Sequence, residues 1–471
     1  VPTLADLLFG MAPVEVTGLS WDSRRVRPGD LFFALPGTRA DGHAFIGDAI
    51  VRGAAAVVGE RPLVKLPVPY ALVPDARAAL AQAACAFYDH PTRRIPTIAV
   101  TGTNGKTTVV HLLGQLLPAC EALTTVRVER EGLSCVTTPE APDLQRLAAR
   151  AVGGGRKFFA FEASSIGLAQ HRVDGVHLAA AVFTNLGRDH LDFHRTHETY
   201  LAAKLRLFAM LPPGGIAVVN AEDLHGARFL AVSRGRPVRY GIGHGDVRAE
   251  GLRPTPDGAE FRLVTPDGSA DVRLPFPGVH NVRNALAAAA TAWALGEPVD
   301  ALAERLSRAE LPPGRFQRLR TAGGAQAVVD YAHTPEALAQ MVATLRPTAR
   351  RLIVVFGASG EADRGKRPLM GEAVGRRADL AVITADNPKS EDPGKIAEAV
   401  AHGVRAAGGR YVVVLDRRQA IRRAVEEAGP GDVVLIAGKG HERYQLTADG
   451  PVPYSDLEVL LSEHSAALER A

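Results

Sequence analysis

The sequence predicts an α/β protein of three domains, the second and third built on mainly parallel sheets. Three observations carry this. At 471 residues the chain exceeds what one hydrophobic core organises, so about three domains of ~100 to 200 residues are expected. Two proline-marked joints, HPTRRIP at 90–96 and ELPPGRF at 310–316, mark chain breaks. Beyond the first joint, short β-rich apolar runs alternate with Ala- and Leu-rich helical segments, the pattern of βα units. The predicted domains are therefore 1–95, 96–311 and 312–471.

In the middle piece the predicted strands are TIAV (97–100), KFFAFE (157–162), LAAAVFTN (178–185) and GIAVVN (215–220). In the last they are AVVDYA (327–332), LIVVFG (352–357), LAVITA (380–385), YVVVLD (411–416) and VVLIAG (433–438). Parallel sheets bind ligands at the carboxyl ends of their strands, so this map of strands is also a map of candidate sites.

Composition excludes several function classes. Lys+Arg 55 against Asp+Glu 51 leaves a formal charge of +4, too mild and dispersed for a nucleic-acid or anionic-membrane surface. Cys85, Cys120 and Cys135 form no CxxC pair, which argues against a disulfide framework or a zinc site. The apolar stretch ALAAAATAWAL at 285–295 is shorter than the ~20 residues of a membrane span. The beginning VPTLADLLFG lacks a basic leader region. A cytoplasmic monomer acting on small molecules is the expectation.

The strongest motif follows strand TIAV. The loop TGTNGKTT comprises Thr101, Gly102, Thr103, Asn104, Gly105, Lys106, Thr107 and Thr108, and runs into the helical segment VVHLLGQLL. Such a loop closes backbone N–H groups around phosphate oxygens, while its Lys supplies charge and its Thr a Mg²⁺ ligand. Val100 stands where the strict pattern has its first Gly, so this is a shorter variant. The bland alternative is a strand-to-helix turn with an exposed Lys. ATP-type chemistry needs further hard ligands nearby. Glu162 ends the second predicted strand, and Asp189, His190, Asp192 and His194 follow the third.

Longer motifs then occur in a telling order: TGTNGKTT, TTP (137–139), EASSIGLAQHRV, TNLGRDHLDFH, AAKLRLF, PGVHNVRNALAA, GRFQ, VDYAHTP, FGASGEADRGKRPLM, DNPK and GKGHE. This order resembles the Mur ligases, most of all the MurE type, and covers nearly the whole chain. The segment WDSRRVRPGDLFFALPG at 21–37 is similar to the family's UDP-binding N-terminal domain. The resemblance implies a P-loop-type central ATPase domain and a Rossmann-like C-terminal domain. It implies ATP and Mg²⁺ as cofactors, and as substrates a UDP-N-acetylmuramoyl dipeptide and a diamino acid.

Residue by residue, the resemblance implies that the 101–108 loop holds ATP. Asn281, Asn284, Arg315, Asp330, Tyr331 and His333 would complete the nucleotide site. Thr107, Glu162 and His190 would be metal ligands. Lys204 would join them as a carbamate, although alone it reads as a solvated helix lysine. Likewise Asn281 alone reads as a helix N-cap. Thr137, Thr138, Ser164, Gln170 and Arg172 match contacts to the muramoyl dipeptide, and Ser23 one at the uridine end; alone, the Ser and Thr residues read equally as caps or loop bonds. Val136 and Ile166 depart from the family's Asn and His beside that site.

The loop TADNPKSEDP at 384–393, followed by a helix predicted near Ile396, matches the family's amino-acid loop. Arg367, Asp386, Asn387, Pro388, Lys389, Gly438 and Glu442 would grip the incoming diamino acid. Ligases of this type that add meso-diaminopimelate usually read DNPR. Lys389 lacks the bidentate fork by which Arg holds a carboxylate, which keeps L-lysine and L-ornithine as candidates. Another ligase of the superfamily, of the MurF or folylpolyglutamate type, or a nucleotide-dependent regulator are the competing readings. The ~95 residues before the ATP loop count against the folate enzyme, and a mere ATPase needs no second polar sheet edge.

Overall fold

The computed structural model describes the chain except residues 9–12, 38–39, 64, 134–136 and 471, and the side chains of 464–470. Cys135 and Val136 lie outside the described residues. The first unit is a four-stranded parallel sheet, Gly18–Ser20, Asp30–Phe33, Ala56–Gly59 and Tyr70–Leu72, paired in chain order. Alternation along its strands feeds two cores. Leu31, Phe33 and Val58 pack with helix Ala76–Phe87, whereas Phe32 and Val57 pack with Ile46–Val51.

The second unit is a nine-stranded sheet. Its parallel part runs Val247–Pro254, Arg236–Ile242, Ile216–Asn220, Ala180–Phe183, Thr97–Thr101, Phe158–Glu162, Cys120–Leu123. Two antiparallel strands, Ala259–Thr265 and Gly268–Leu274, extend the far edge. Strand Thr97–Thr101 lies between Phe158–Glu162 and Ala180–Phe183, so its phosphate-loop end adjoins both Glu162 and the TNLGRDH turn. The third unit orders Gln317–Arg320, Gln326–Asp330, Val433–Ala437, Leu352–Phe356, Leu380–Ile383 and Tyr411–Val413, all parallel except the first. Helices Pro335–Leu345, Lys366–Gly375 and Pro393–Ala406 contribute to the core on one face of this sheet, and Arg417–Glu427 to the other. Among the described residues no helix is long and apolar enough to cross a membrane.

Each of the nine predicted strands coincides with an observed one to within three residues at either end. Continuous apolar runs mark strands buried on both faces, which is why they were readable. Two local expectations need correction. The helix expected near Ile396 starts at Pro393, because Asp392 caps it through the Gly394 N–H at 2.7 Å and Pro tolerates the first position. Asn281 does not cap its helix. Helix Val279–Ala294 begins after Gly278 at φ 99°, and Asn281 sits in the first turn with its amide donating to the Pro277 carbonyl at 2.7 Å.

Candidate active site

The phosphate loop is shaped by its glycines and by the turn that meets it. Gly105 has φ 89°, and a Cβ there would lie 2.3 Å from Asn284 Oδ1, so both backbone freedom and space demand glycine. Thr101 is buried at the strand end. Thr103 Oγ1 shares a 3.0 Å bond with the Tyr200 hydroxyl and accepts from the Gly187 N–H at 2.9 Å. The Asn104 N–H donates to Asn185 Oδ1 at 3.0 Å, and its amide to Thr334 Oγ1 in the third unit at 3.2 Å. Thr107 and Thr108 are buried on the first turn of helix Lys106–Leu116.

Two lysines converge here. Lys106 Nζ donates to Gly102 O at 3.0 Å and Thr103 O at 2.9 Å. Lys204 Nζ donates to the same Gly102 oxygen at 2.7 Å. The structure corrects the solvated reading of Lys204, which is 1% exposed on helix His197–Ala209. Burial, and then the Lys106 charge, hold its ammonium well below the usual lysine range. Burial likewise lowers Lys106, against the pull of Glu162 and Asp189.

Glu162 is 1% exposed and fully engaged. The Thr107 hydroxyl donates to Oε2 at 2.9 Å, and the Thr125 N–H and hydroxyl to Oε1 at 2.6 and 2.9 Å. His190 lies in the left-handed region at φ 54°, and burial pushes its imidazole down to about 4, so it is neutral at pH 7. The carboxylate and the hydroxyl are hard oxygen donors of the kind Mg²⁺ takes, and the neutral imidazole adds a nitrogen lone pair. No cluster of three His, Cys, Asp or Glu occurs among the described residues. Asp192 is exposed, and His194 is buried against Phe193 and Tyr200, so neither belongs with this group.

A cavity between the second and third units is lined by Asn104, Gly105, Asn281, Asn284, Arg315 and Tyr331 among others. Arg315 reaches Thr107 Oγ1 at 3.2 Å and lies 4.6 Å over the Tyr331 ring. Asp330 accepts from the Phe316 and Ala332 N–H groups at 2.8 Å each, and His333 Nδ1 bonds the Tyr331 carbonyl at 2.7 Å. Asp330 therefore shapes the wall through backbone bonds.

The segment matched to the muramoyl dipeptide forms one network. Thr138 Oγ1 donates to the Glu162 carbonyl at 2.9 Å and pairs with Ser164 Oγ at 2.9 Å. Ser164 also caps helix Ser165–Ala169 through the Gly167 N–H at 3.1 Å. Arg172 donates to Thr138 O at 2.8 Å and Gln170 Oε1 at 2.7 Å, and pairs with Glu140 at 3.0 Å. Thr137 is half-buried beside it. Ser23 lies apart, buried in the turn Ser23–Arg25. That turn borders a groove lined by Ser20, Trp21, Asp22, Arg25, Tyr88 and Arg146.

The third sheet presents a second polar edge. Asp386 and Asn387 are buried. Asp386 Oδ1 accepts from Ser359 Oγ at 3.2 Å, and Lys439 and Arg417 hold its carboxyl below the usual range although burial opposes them. Gly438 has φ 117°, and a Cβ would come within 2.5 Å of Asp386 Oδ2. Asn387 donates to Glu442 Oε2 at 3.0 Å. Lys389 is half-buried at φ 55°, its N–H tied to Leu446 O at 2.9 Å, and the buried Pro388 precedes it. Arg367 is 4% exposed and bonds both oxygens of Glu391 at 3.0–3.1 Å.

Sequence reading missed several partners. Lys439 is wholly buried and bonds Glu442 at 2.7 Å and Asn387 at 3.0 Å; its only signal is its place between two glycines at a strand end. Glu391 on Arg367 was likewise unforeseen. Between the sheets, Arg188 makes two bonds to Asp363 at 2.8 and 3.1 Å, and Lys366 meets Asp189 at 2.9 Å. Burial alone would raise Asp189, yet Lys366, His190 and His333 hold it well below the ordinary range.

Comparison with known proteins agrees with this geometry. The chain matches the Mur ligase family, catalytic domain, over residues 15–88, the Mur ligase middle domain over 100–292, and the Mur ligase, glutamate ligase domain over 314–440. It is 42% identical over 460 residues to the UDP-N-acetylmuramoyl-L-alanyl-D-glutamate–2,6-diaminopimelate ligase of Geobacillus thermodenitrificans strain NG80-2, covering 94% of each chain. A solved structure of a ligase of that name superposes with TM-score 0.62 at 34% identity, over 96% of this chain and 95% of the other. The MurF ligase of Thermotoga maritima in complex with ADP, 20% identical with TM-score 0.66 over 97% and 98% of the chains, shares the fold. A three-unit chain with a phosphate loop facing a second polar sheet edge, related to these ligases over nearly its full length, belongs to the Mur ligase family, as an ATP-dependent ligase of the MurE type.

Proposed function

We propose that this ligase adds a diamino acid to UDP-N-acetylmuramoyl-L-alanyl-D-glutamate in the making of peptidoglycan precursor, as a cytoplasmic monomer. One observation carries the reading: the turn beside the phosphate loop is fastened to the third unit by Arg188–Asp363 and Lys366–Asp189, and the loop itself meets that unit through Asn104–Thr334 and Thr107–Arg315. We take the units as 1–95 for UDP, 96–311 for ATP and 312–471 for the amino acid.

In the first step the free D-glutamate carboxylate attacks the γ-phosphorus of ATP and ADP leaves. In the second the amine attacks the acyl-phosphate carbon, and phosphate departs as the amide forms. Lys106 and the loop N–H groups orient the phosphates. Arg315, between Thr107 and Tyr331, steadies the nucleotide from the third unit. Mg²⁺, held through Thr107, Glu162, His190 and carbamylated Lys204, would offset charge on the transferring oxygens. Thr138, Ser164 and Arg172 place the dipeptide, and the uridine end lies toward Ser23. Asp386 and Glu442 take ammonium groups. Closure excludes the water that would hydrolyse the acyl phosphate.

Phosphate release from ATP is expected only with both the UDP-linked dipeptide and a diamino acid present. Comparable release with neither would refute the ligase reading for this chain. Which diamino acid is used follows from offering diaminopimelate, lysine and ornithine in competition. Lys389→Arg is expected to shift that ratio toward diaminopimelate by about 10-fold, the gain of one bidentate carboxylate contact at ~1.4 kcal/mol. An unchanged ratio would remove Lys389 from the specificity loop.

A further inference from the structure

The first unit meets the dipeptide network at the start of one helix. Asp75 caps helix Ala76–Phe87 through the Ala78 N–H at 2.8 Å, and its other oxygen lies 3.4 Å from His171 Nε2 in the central unit. His171 Nδ1 bonds Asp174 at 2.6 Å, and the residue stands at φ 60° between Gln170 and Arg172 of that network. Within the first turn of the same helix, Arg77 Nη1 approaches Glu140 Oε1 at 3.7 Å, the oxygen that Arg172 already holds at 3.0 Å. Glu140, which follows the TTP segment, is thus shared by one guanidinium from each unit.

The far end of the helix serves the other end of the substrate. Phe87 and Tyr88 line the groove bordered by the Ser23–Arg25 turn, together with Asp143 and Arg146 of helix Ala141–Gly153, which begins after Glu140. Between the two ends, Ala81 and Ala84 are buried against Ala141, and the Cys85 thiol donates to the Asp174 carbonyl at 3.8 Å. Twelve helical residues form a rigid piece about 18 Å long. A contact loosened at the first turn therefore moves the groove as a body relative to Thr138, Ser164 and Arg172.

The contact at Glu140 is not fully drawn in. At 3.7 Å, Arg77 Nη1 stands beyond hydrogen-bond reach of Oε1, and both this nitrogen and Arg172 Nε are buried without a hydrogen-bond partner. Buried donors without acceptors cost free energy that a small approach of the first unit would recover. A substrate gripped at both ends supplies that approach.

We propose that helix Ala76–Phe87 gauges the span of the nucleotide-linked substrate, with Arg77 as the positioning residue that sets the groove against the dipeptide network through Glu140. This rests on the reading that the groove and Arg172 bind the two ends of one UDP-linked dipeptide. The uridine end alone binds without regard to Arg77. Binding of both ends together requires the two subsites at the right separation, because the second contact of a linked ligand depends on geometry.

The test compares full-length wild type with Arg77→Met, Arg77→Lys, Glu140→Gln and the Arg77→Met, Glu140→Gln double variant. KM for the UDP-linked dipeptide is measured at saturating ATP and diamino acid, and the affinity of UDP alone by calorimetry. We expect Arg77→Met to raise that KM about 10-fold with kcat within about threefold, while UDP alone binds as it does to the wild type. Arg77→Lys keeps the charge and brings KM back to within about threefold of the wild type. The double variant is no worse than Glu140→Gln, because Arg77 acts through that carboxylate. An unchanged KM in Arg77→Met, additive losses in the double variant, or weaker binding of UDP alone to Arg77→Met overturns the proposal. A wild-type enzyme that binds the UDP-linked dipeptide no more tightly than UDP would instead refute the parent reading.

Discussion

Lys204→Ala is expected to lower kcat by about 10³-fold, and millimolar formate or acetate to restore part of the loss. The carbonyl oxygen of Gly102 accepts from both Lys204 at 2.7 Å and Lys106 at 3.0 Å. Two ammonium groups on one acceptor, both buried, are not stable together without an anion, and burial lowers Lys204 furthest. A neutral amine is the form that adds to CO₂, giving a carbamate and a proton. That conversion replaces a surplus cation by an anion with two hard oxygens beside Glu162 and His190. A short carboxylate can occupy the space the shortened side chain leaves. If Lys204 acted as a plain phosphate-binding cation, carboxylates would not rescue the variant and small alkylamines would. Full activity of Lys204→Ala without any additive would remove it from the reaction.

This residue also shows where sequence reading stops. The motif AAKLRLF placed Lys204 on a helix, but lysines on helices are normally solvated, and only the packing of that helix beneath the phosphate loop buries it. Strands such as TIAV and LIVVF were legible because strands buried on both faces need unbroken apolar runs. Cys120–Leu123, Val247–Pro254 and Gly268–Leu274 were not, since edge or half-exposed strands mix charged and apolar residues. Within the site, residues inside long motifs were readable one by one. Their partners were not: Glu391 on Arg367, Asp363 on Arg188 and Lys366 on Asp189 are set by how loops and domains dock. No periodicity or spacing within one segment encodes a contact between two of them.

The junction supplies the second large effect: Lys366→Met is expected to lower kcat/KM for the diamino acid by about 10² to 4 × 10³-fold. Asp189 and Lys366 side chains are 8% and 6% exposed and meet at 2.9 Å across the two units. Removing one partner of a buried pair leaves the other charge uncompensated, at about 3 to 5 kcal/mol, and at ~1.4 kcal/mol per tenfold that gives the range stated. The cost falls on the closed arrangement alone, because opening returns Asp189 to water. Lys366→Met should therefore expand the particle in small-angle scattering with ATP bound, while its melting temperature changes little. Arg188→Met is the internal control. Arg188 is 32% exposed where it pairs with Asp363, so water takes over part of its role and a loss of only about tenfold is expected. Wild-type turnover in Lys366→Met would mean that closure is driven by the substrates and that the Asp189–Lys366 contact merely accompanies it. A loss in Arg188→Met equal to that in Lys366→Met would mean that burial is not what makes the contact matter.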